Sequence, residues 1–263
     1  MQAFESLLYR AEHRVATITL NRPEVRNSLN RKLRLELRQA IEQADGDRDV
    51  RAVILTGAGG GFCAGADLVE RLPGADRDGF VTQILNAEYH PLILGIRQSP
   101  KPWISAVNGA AAGIGSSLAL ACDMVVMADC ACLYSAFGSI GLIPDGGSHQ
   151  MLQEQLGSKR TFEMIALSQK LEALRCLDLG LANRVVPADS LLPETEKLAG
   201  QLIRAAPLTL RYSKQILRES ARSGLEATMS LEAEIQNLMY RSRDFKEGAA
   251  AFFEKRKPEF EGC

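Results

Sequence analysis

Three runs of apolar residues, each followed by small or glycine-rich residues and then by a helical pattern, constrain the fold of this chain most strongly. The runs are RAVILTG at 51–57, WISAVNG at 103–109 and DMVVMAD at 123–129. Continuous apolar strands are typical of parallel sheets, whose strands are covered on both faces. Because helical patterns separate the runs, the sequence predicts an α/β fold with parallel pairing.

The segments around these runs have the same alternating character. RVATITL at 14–20 alternates like a half-buried strand, and RKLRLELRQAIEQA at 31–44 has apolar residues at helical spacing. A further helix is predicted within 81–98, a small-residue turn at 110–117, and an amphipathic helix from 148 to 156. The chain therefore reads as successive strand, loop and helix units.

The character of the sequence changes after about Pro193. The remaining stretches are charged helical patterns without strand-like runs between them. The sequence predicts a core domain over residues 1–195 and a helical oligomerisation region over 196–263. The apolar stripes of that region need a partner surface, which is either the core domain or a second subunit.

Charge and cysteine spacing argue against several classes of partner. The 263 residues carry a formal net charge of −1, which gives no global electrostatic reason to attract nucleic acid or anionic lipid, and only the terminal run KEGAAAFFEKRK is basic. No apolar segment has the length of a signal peptide core or a membrane span, which predicts a soluble, cytoplasmic protein. The six cysteines match no paired zinc spacing, so no metal site is expected.

Two glycine-rich loops follow consecutive apolar strands. Neither loop fits the dinucleotide-binding pattern GxGxxG. In GAGGGFCAGAD at 57–67, Phe62 occupies the position of the third glycine, and in GAAAGIGSSL at 109–118, Leu118 occupies it. The lysine of a phosphate-binding P-loop is missing from both. Two such loops can instead present backbone N–H groups to one oxygen from two directions, which is the design of an oxyanion hole.

These loops belong to a longer series of motifs. NRPEVRNSLN, FCAGADL, NGAAAGIGSSLALACD, IGLIPDGG and DFKEGAAAFFEKRKPEF follow one another between residues 21 and 260. Their order and spacing resemble the enoyl-CoA hydratase/isomerase (crotonase) family over essentially the whole chain. The resemblance implies a spiral of repeated ββα units, a C-terminal helical trimerisation region, and an acyl-CoA thioester as substrate. It also implies a homotrimer or a dimer of trimers.

The resemblance further implies which residues act. The thioester carbonyl would be held by the backbone N–H groups of Ala66 and Ile114, although Ile114 replaces the middle of the family's usual three glycines. No separate cofactor is implied, since coenzyme A is part of the substrate. Candidate contacts to coenzyme A are Arg22, Val25, Arg26, Ala64, Asp67 and Leu68, with Phe252 and Lys255 reaching the coenzyme A of a neighbouring subunit.

The choice of reaction rests on the acid and base positions. The resemblance implies that a hydratase of the family would carry two glutamates, one to deprotonate water and one to supply a proton. The corresponding positions here are Ser117 and Phe137. Asp145 in IGLIPDGG matches the acidic residue of the enoyl-CoA isomerases, and IGLIPD closely resembles the ring-epoxyphenylacetyl-CoA isomerases. We therefore expect Asp145 to move a proton while the two loops hold the enolate, in fatty acid or phenylacetate metabolism. The apolar residues Ile140, Leu142, Ile143 and Phe137 are expected to bury it.

Two alternatives stay open at this point. The first is an enoyl-CoA hydratase with atypical acid and base residues, which Ser117 and Phe137 argue against. The second is a catalytically inactive relative that only binds coenzyme A, which Asp145 and the two loops argue against. The acyl group is not predicted, because it depends on the weakly patterned stretch at 69–90.

Overall fold

The structure of the protein is a computed structural model that describes residues 4–71 and 78–263. The stretch at 69–90, expected to select the acyl group, therefore lies partly outside the described residues. The described strands are β1 (Leu7–Glu12), β2 (Val15–Leu20), β3 (Ala52–Gly57), β4 (Gly61–Cys63), β5 (Trp103–Val107), β6 (Ala110–Ala112), β7 (Met124–Ala128), β8 (Cys132–Tyr134), β9 (Lys170–Glu172) and β10 (Arg184–Val186).

Helices surround these strands. A π-helical turn, Leu85–Tyr89, joins the third and fourth helices, and short 3₁₀ turns lie at Pro23–Val25, Gly138–Ile140 and Ala188–Ser190. The helices are α1 (Arg31–Gly46), α2 (Leu68–Arg71), α3 (Phe80–Ile84), α4 (His90–Gln98), α5 (Ile114–Ala121), α6 (Ser148–Ala166), α7 (Ala173–Asp178), α8 (Leu191–Leu202), α9 (Pro207–Ser220), α10 (Leu225–Met239) and α11 (Arg243–Glu254).

The strands form two sheets that share a common winding. The larger sheet has the order β1-β2-β3-β5-β7-β10, and the smaller has the order β4-β6-β8-β9. The pairs β3/β4, β5/β6 and β7/β8 each give one strand to each sheet, and pairing between successive units is parallel. The chain therefore winds as a spiral of strand pairs, which confirms the predicted fold class.

Apolar patterning explains why the larger sheet is central. Every residue of β5 is buried, and β3 is buried up to its final glycine. Helix α1 starts where the Asn30 side chain accepts a hydrogen bond from the Leu33 N–H at 2.9 Å, and it buries Leu33, Leu37 and Ile41. Helix α8 (Leu191–Leu202) spans the predicted boundary at residue 195 and packs on β3 and β5 of the core. The two-part division of the chain remains a prediction.

The longer elements were predicted better than the short ones. The strands at 15–20, 52–57, 103–107 and 124–128 and the first helix are confirmed. The glycine-rich stretches were wrongly expected to be only loop or turn, because they contain β4 and β6. Strand pairing, and not side-chain propensity, creates these two strands: β4 lies beside β6, which continues the small sheet to β8.

Lysine 214 fastens the C-terminal helices to the sheet. Its Nζ donates hydrogen bonds to the carbonyls of Ile96 and Lys101, at 2.9 and 3.1 Å, and forms a 2.8 Å ion pair with Asp123. The Lys214 side chain is only 11% exposed, so helix α9 docks through one largely buried cation. Within residues 4–71 and 78–263, the longest apolar helical stretches fall short of what a membrane crossing requires.

Replacing this cation should loosen the attachment of α9. We expect Lys214→Met to lower the free energy of unfolding by about 2 kcal/mol, because two carbonyls and a carboxylate lose their donor together. Urea denaturation measures the change. The matched control is Lys197→Met on α8, where the ammonium is 65% exposed and the expected loss is below about 0.5 kcal/mol. Equal losses in the two variants would contradict the anchoring role of Lys214.

Candidate functional site

Four loops meet at one edge of the larger sheet. The first loop (residues 21–30) follows β2, the second (58–67) follows β3, and the third (108–113) follows β5. These three strands are parallel neighbours, so their carboxyl ends lie at the same edge, where ligands usually bind in α/β folds. The fourth loop (141–147) leads into α6. The described structure brings four of the five sequence motifs to this edge, and the fifth lies in and just after α11.

Asparagine 27 holds the first loop to the second. Its fully buried side chain accepts a hydrogen bond from the Arg22 N–H at 2.9 Å and donates to the carbonyls of Ala58 and Gly61, at 3.0 and 2.8 Å. Its φ of 58° lies in the left-handed region, which asparagine tolerates better than most residues. Sequence reasoning missed this residue, and its only signal was an asparagine inside a turn-like run.

The predicted coenzyme A contacts divide into two groups. Arg22 Nη1 lies 3.0 Å from Asp67 Oδ2 and also donates to the Ser28 carbonyl at 2.6 Å, so these two candidates are paired with each other. The other four candidates, on these loops or at the start of α2, are exposed, and the Ala64 N–H donates to the Arg26 carbonyl at 2.9 Å. These four are Val25, Arg26, Ala64 and Leu68.

The Arg22–Asp67 pair also sets the ionisation of the aspartate. Burial acts to raise the pKa of Asp67, but the hydrogen bond and charge of Arg22, with the backbone N–H groups of Val69 and Glu70, outweigh it. The pKa of Asp67 is therefore held below its ordinary value. An ionised Asp67 thus keeps the first and second loops together.

The second and third loops touch through their glycines. A Cβ atom added to Gly65, whose φ is 97°, would lie 2.9 Å from the Ala112 carbonyl oxygen and 3.7 Å from the Gly113 Cα. A Cβ added to Gly115 would lie 2.3 Å from the Cys63 carbonyl oxygen. Only glycine allows these approaches, and they bring together the segments that contain Ala66, which follows Gly65, and Ile114, which lies between Gly113 and Gly115.

The orientation of the Ala66 peptide follows from its neighbours. The Leu29 N–H donates to the Gly65 carbonyl at 2.8 Å, and the Asp67 N–H donates to the Leu29 carbonyl at 3.3 Å. In such a parallel bridge, the N–H of the residue between the two bonded positions points to the opposite side. The Ala66 N–H therefore points away from Leu29, and no partner for it lies within the described part of the chain.

A second N–H is available at the start of α5. Ile114 is the first residue of that helix, so its N–H has no acceptor within the helix. Its neighbours are fixed, since the Gly113 N–H donates to the Tyr134 carbonyl at 3.0 Å and the Ser116 N–H to the Gly113 carbonyl at 3.0 Å. Among residues 4–71 and 78–263, the hydrogen bonds leave the Ile114 N–H without an acceptor.

The fourth loop explains how the fold accommodates isoleucine at position 114. A Cβ added to Gly146, whose φ is 62°, would lie 2.2 Å from Ile114 Cδ1 and 3.0 Å from Ser117 Cβ. The bulk of Ile114 is thus packed beneath a residue that has no side chain, and Ile114 is only 3% exposed. This contact also places Asp145, the preceding residue, against the first turn of α5.

Asp145 is half-buried, and its Oδ1 atom is inaccessible to solvent. Of the four apolar residues expected to bury it, only Phe137 is itself buried, whereas Ile140, Leu142 and Ile143 are 55, 45 and 77% exposed. These side chains lie in a 3₁₀ turn and a glycine-containing loop that turn them outward. Asp145 contacts α5 through its backbone, since its carbonyl oxygen lies 3.2 Å from the Ser117 hydroxyl.

The two positions that carry glutamate in hydratases have different surroundings here. Ser117 is fully buried and its hydroxyl lies 2.7 Å from that of Ser148. Phe137 is 8% exposed, and its ring would meet a Cβ added to Gly113 at 3.7 Å. Neither side chain can exchange a proton as a carboxylate does, so Asp145 is the acidic group of this edge that α5 and the fourth loop hold in place.

A buried guanidinium, that of Arg34, holds the backbone group to which the second loop is bonded. Arg34 is 4% exposed and donates to the Leu29 carbonyl at 2.8 Å, the same oxygen that accepts the Asp67 N–H. Glu88 and Glu70 balance its charge, at 2.7 and 3.0 Å. The sequence analysis did not identify this cluster, because its members are distant in the chain.

The last two candidates lie apart from these loops in the chain. Phe252 is 78% exposed near the end of α11, where its ring packs edge-on against Phe253 with 5.7 Å between centroids. Lys255 caps α11 with a φ of 55°. The described part of a single chain joins neither residue to the four loops by a hydrogen bond or ion pair, so their role toward a neighbouring subunit remains a prediction.

Comparison with known proteins agrees with this geometry. The family model for enoyl-CoA hydratase/isomerase matches residues 10–263. The chain is 38% identical over 260 residues to a probable enoyl-CoA hydratase of Rhodobacter capsulatus, covering 99% of each. It is 37% identical to the 1,2-epoxyphenylacetyl-CoA isomerase of Escherichia coli, covering 98% of this chain and 99% of that one.

A solved structure extends the likeness to three dimensions. The crystal structure of enoyl-CoA hydratase from Bacillus anthracis is 31% identical in sequence and superposes with a TM-score of 0.92. The match covers 98% of this chain and all of that one. The similar proteins thus include both hydratases and an isomerase.

The junction of the first two loops can be tested at Asn27. We expect Asn27→Ala to lower the free energy of unfolding by about 3 kcal/mol, since three polar partners lose their bonds and alanine is strained at this φ. Chemical denaturation measures the loss. Asn27→Gly removes the same hydrogen bonds without the strain and should be less destabilised by about 1 kcal/mol. A wild-type stability in Asn27→Ala would contradict the role of this side chain.

The Arg22–Asp67 pair predicts a dependence of stability on pH. Because the folded-state pKa of Asp67 is lowered, the pair stabilises the fold above the ordinary carboxyl pKa and ceases to do so as the pH falls through the lowered value. Asp67→Asn should be less stable by about 1 kcal/mol at pH 7, with a smaller difference in acid. Unfolding curves recorded from pH 7 downward measure this. A difference that is constant with pH would count against the ion pair.

Proposed function

The chain belongs to the enoyl-CoA hydratase/isomerase family, and within that family we propose that it shifts the double bond of an enoyl-CoA thioester. Asp145 removes a proton from C2 of a 3-enoyl thioester and returns one to C4, which leaves the 2-enoyl product. No water is added and no electrons leave the substrate. This reaction needs one acid/base group, unlike hydration, for which the family uses two carboxylates.

The observation that supports this proposal is the placement of Asp145 and two N–H groups on one packed unit. Removal of the C2 proton turns the thioester carbonyl into an enolate oxygen, and the N–H groups of Ala66 and Ile114 are the proposed donors to it. Each such donor stabilises a developing oxyanion by about 3 kcal/mol. The helix dipole of α5 adds to this effect at Ile114.

Hydration is the second candidate, because the similar protein of Rhodobacter capsulatus is named a probable hydratase. Against it stands Ser117, which is buried with its hydroxyl next to that of Ser148, at a position where hydratases carry a carboxylate. A hydratase would therefore have to draw both proton transfers from Asp145 and a water. Binding of coenzyme A thioesters without turnover is the third outcome open to experiment.

Substrate binding and assembly complete the proposal. The exposed Val25, Arg26, Ala64 and Leu68 are proposed to contact coenzyme A, which enters as part of the substrate with no separate cofactor. We propose a trimer or a dimer of trimers. Helices α9 and α10 contain no fully buried residue in the single chain, and Leu217, Leu225 and Met229 are 72, 76 and 57% exposed.

Product analysis tests the reaction. Purified protein is given 3-enoyl-CoA and 2-enoyl-CoA separately in deuterated water, and the products are followed by ultraviolet absorbance and mass spectrometry. We expect conversion of the 3-enoyl to the 2-enoyl thioester without the mass of an added water. Asp145→Asn should lower kcat by about a thousandfold, since it removes the general base.

Two comparisons make the result specific. Asp189→Asn, which alters an exposed carboxylate on the turn after β10, should keep wild-type activity. Water addition to the 2-enoyl substrate as the main reaction would replace the isomerase proposal by a hydratase. Full isomerase activity in Asp145→Asn would remove Asp145 from the mechanism.

A further inference from the structure

Two buried serines meet at the carbonyl of Asp145. Ser117 and Ser148 are 0 and 5% exposed, and their hydroxyl oxygens lie 2.7 Å apart. The Asp145 carbonyl oxygen lies 2.9 Å from the Ser148 hydroxyl and 3.2 Å from that of Ser117. Ser117 comes from α5 and Ser148 is the first residue of α6, so the pair joins the two helices at this carbonyl.

The number of hydroxyl hydrogens determines which serine of the pair donates and which accepts. Two hydroxyl hydrogens cannot fill all three short contacts, and bonds between hydroxyl and carbonyl oxygens are strongest between about 2.5 and 3.0 Å. The two contacts within that range form a chain in which Ser117 donates to Ser148 and Ser148 donates to the Asp145 carbonyl. The hydroxyl of Ser148 is thus both an acceptor and the main hydroxyl donor to Asp145.

The backbone around Asp145 is a tight turn closed by the same serine. The Ser148 N–H donates to the Asp145 carbonyl at 3.2 Å, and the two residues between them, Gly146 and Gly147, have φ values of 62° and 77°. Positive φ at both central positions is the pattern of a type I′ turn. The Asp145 carbonyl therefore receives a backbone and a side-chain hydrogen bond from one residue.

The first turn of α5 connects this arrangement to the oxyanion donor. Ile114 and Ser117 are three residues apart and lie on the same face of the helix. Gly146 contacts both of them, as the distances from its added Cβ show. One helical turn therefore carries the proposed N–H donor at one position and the anchor of the proposed base at the other.

We propose that Ser117 and Ser148 are positioning residues that set the distance between Asp145 and the oxyanion donors. The inference rests on the proposed function, in which Asp145 is the base. Neither hydroxyl contacts substrate, because both are buried and engaged with each other. Ser117 stands at a position where hydratases carry a glutamate, and the hydroxyl chain that it begins fixes Asp145, the proposed acid/base group, to the helix that carries the Ile114 N–H.

Kinetics of hydroxyl deletions test the proposal. Ser148→Ala should lower kcat about tenfold with KM unchanged, because small displacements of a catalytic group are costly while substrate binding uses other residues. Ser117→Ala should lower kcat less, since Ser148 keeps its own bond to the carbonyl. The double variant should match Ser148→Ala alone, because the two hydroxyls act as one chain. Ser148→Thr keeps a hydroxyl and should restore kcat.

Ser105→Ala is the matched control. Ser105 is also fully buried, and its hydroxyl donates to the Ala119 carbonyl at 3.0 Å, near the other end of the same helix. Its loss should lower thermal stability about as much as the loss at Ser117 but leave kcat unchanged. A kcat that falls equally in Ser105→Ala would show a general effect of weakening α5 and would overturn the positioning role.

The proposal and the proposed function can fail separately. If Asp145→Asn keeps full activity, the base assignment fails and the positioning role falls with it. If Asp145→Asn is inactive but the folded Ser148→Ala and the double variant keep wild-type kcat, only the positioning role is overturned. Thermal unfolding of each variant establishes that it is folded at the assay temperature.

Discussion

The close contact between the second and third loops is the constraint on which the candidate site depends. Gly65 lies against the Ala112 carbonyl and Gly113, where no side chain fits. Parallel pairing of β3 with β5 brings the loops to one edge, and the pairing of β4 with β6 continues the alignment into the loops themselves. The backbone segments that contain Ala66 and Ile114 are neighbours because the two loops approach this closely, and a side chain at Gly65 would force them apart.

The larger features of the fold could be predicted from the sequence because they depend on long apolar patterns. The strands β3, β5 and β7 are continuous apolar runs and helix α1 buries a periodic set of apolar residues, and both signals are local. Strands β4, β6, β9 and β10 have three residues each and form because they pair with neighbouring strands. No local sequence pattern therefore predicts them. Position in the family's motifs is what nominates Asp145, Ala66 and Ile114, and their roles remain a prediction that composition alone could not supply.

The supporting side chains of the site were the part that the sequence could not reveal. Asn27, Arg34 and Ser148 act through bonds to backbone groups of other loops, and those partners are known only once the fold is formed. Three of the four apolar residues expected around Asp145 are exposed for a related reason. Glycine and 3₁₀ geometry turn Ile140 and Ile143 outward, and residue type carries no information about that direction.

The central claim is that the enolate oxygen is held by two backbone N–H groups while Asp145 moves the proton. A crystal structure of the Asp145→Asn variant with a bound 2-enoyl-CoA tests it most directly. We predict that the thioester oxygen accepts hydrogen bonds from both Ala66 and Ile114, and that the side chain at position 145 faces the carbons between which the double bond moves. A thioester oxygen that contacts neither N–H group, or a residue 145 side chain that faces away from the acyl chain, would contradict the account.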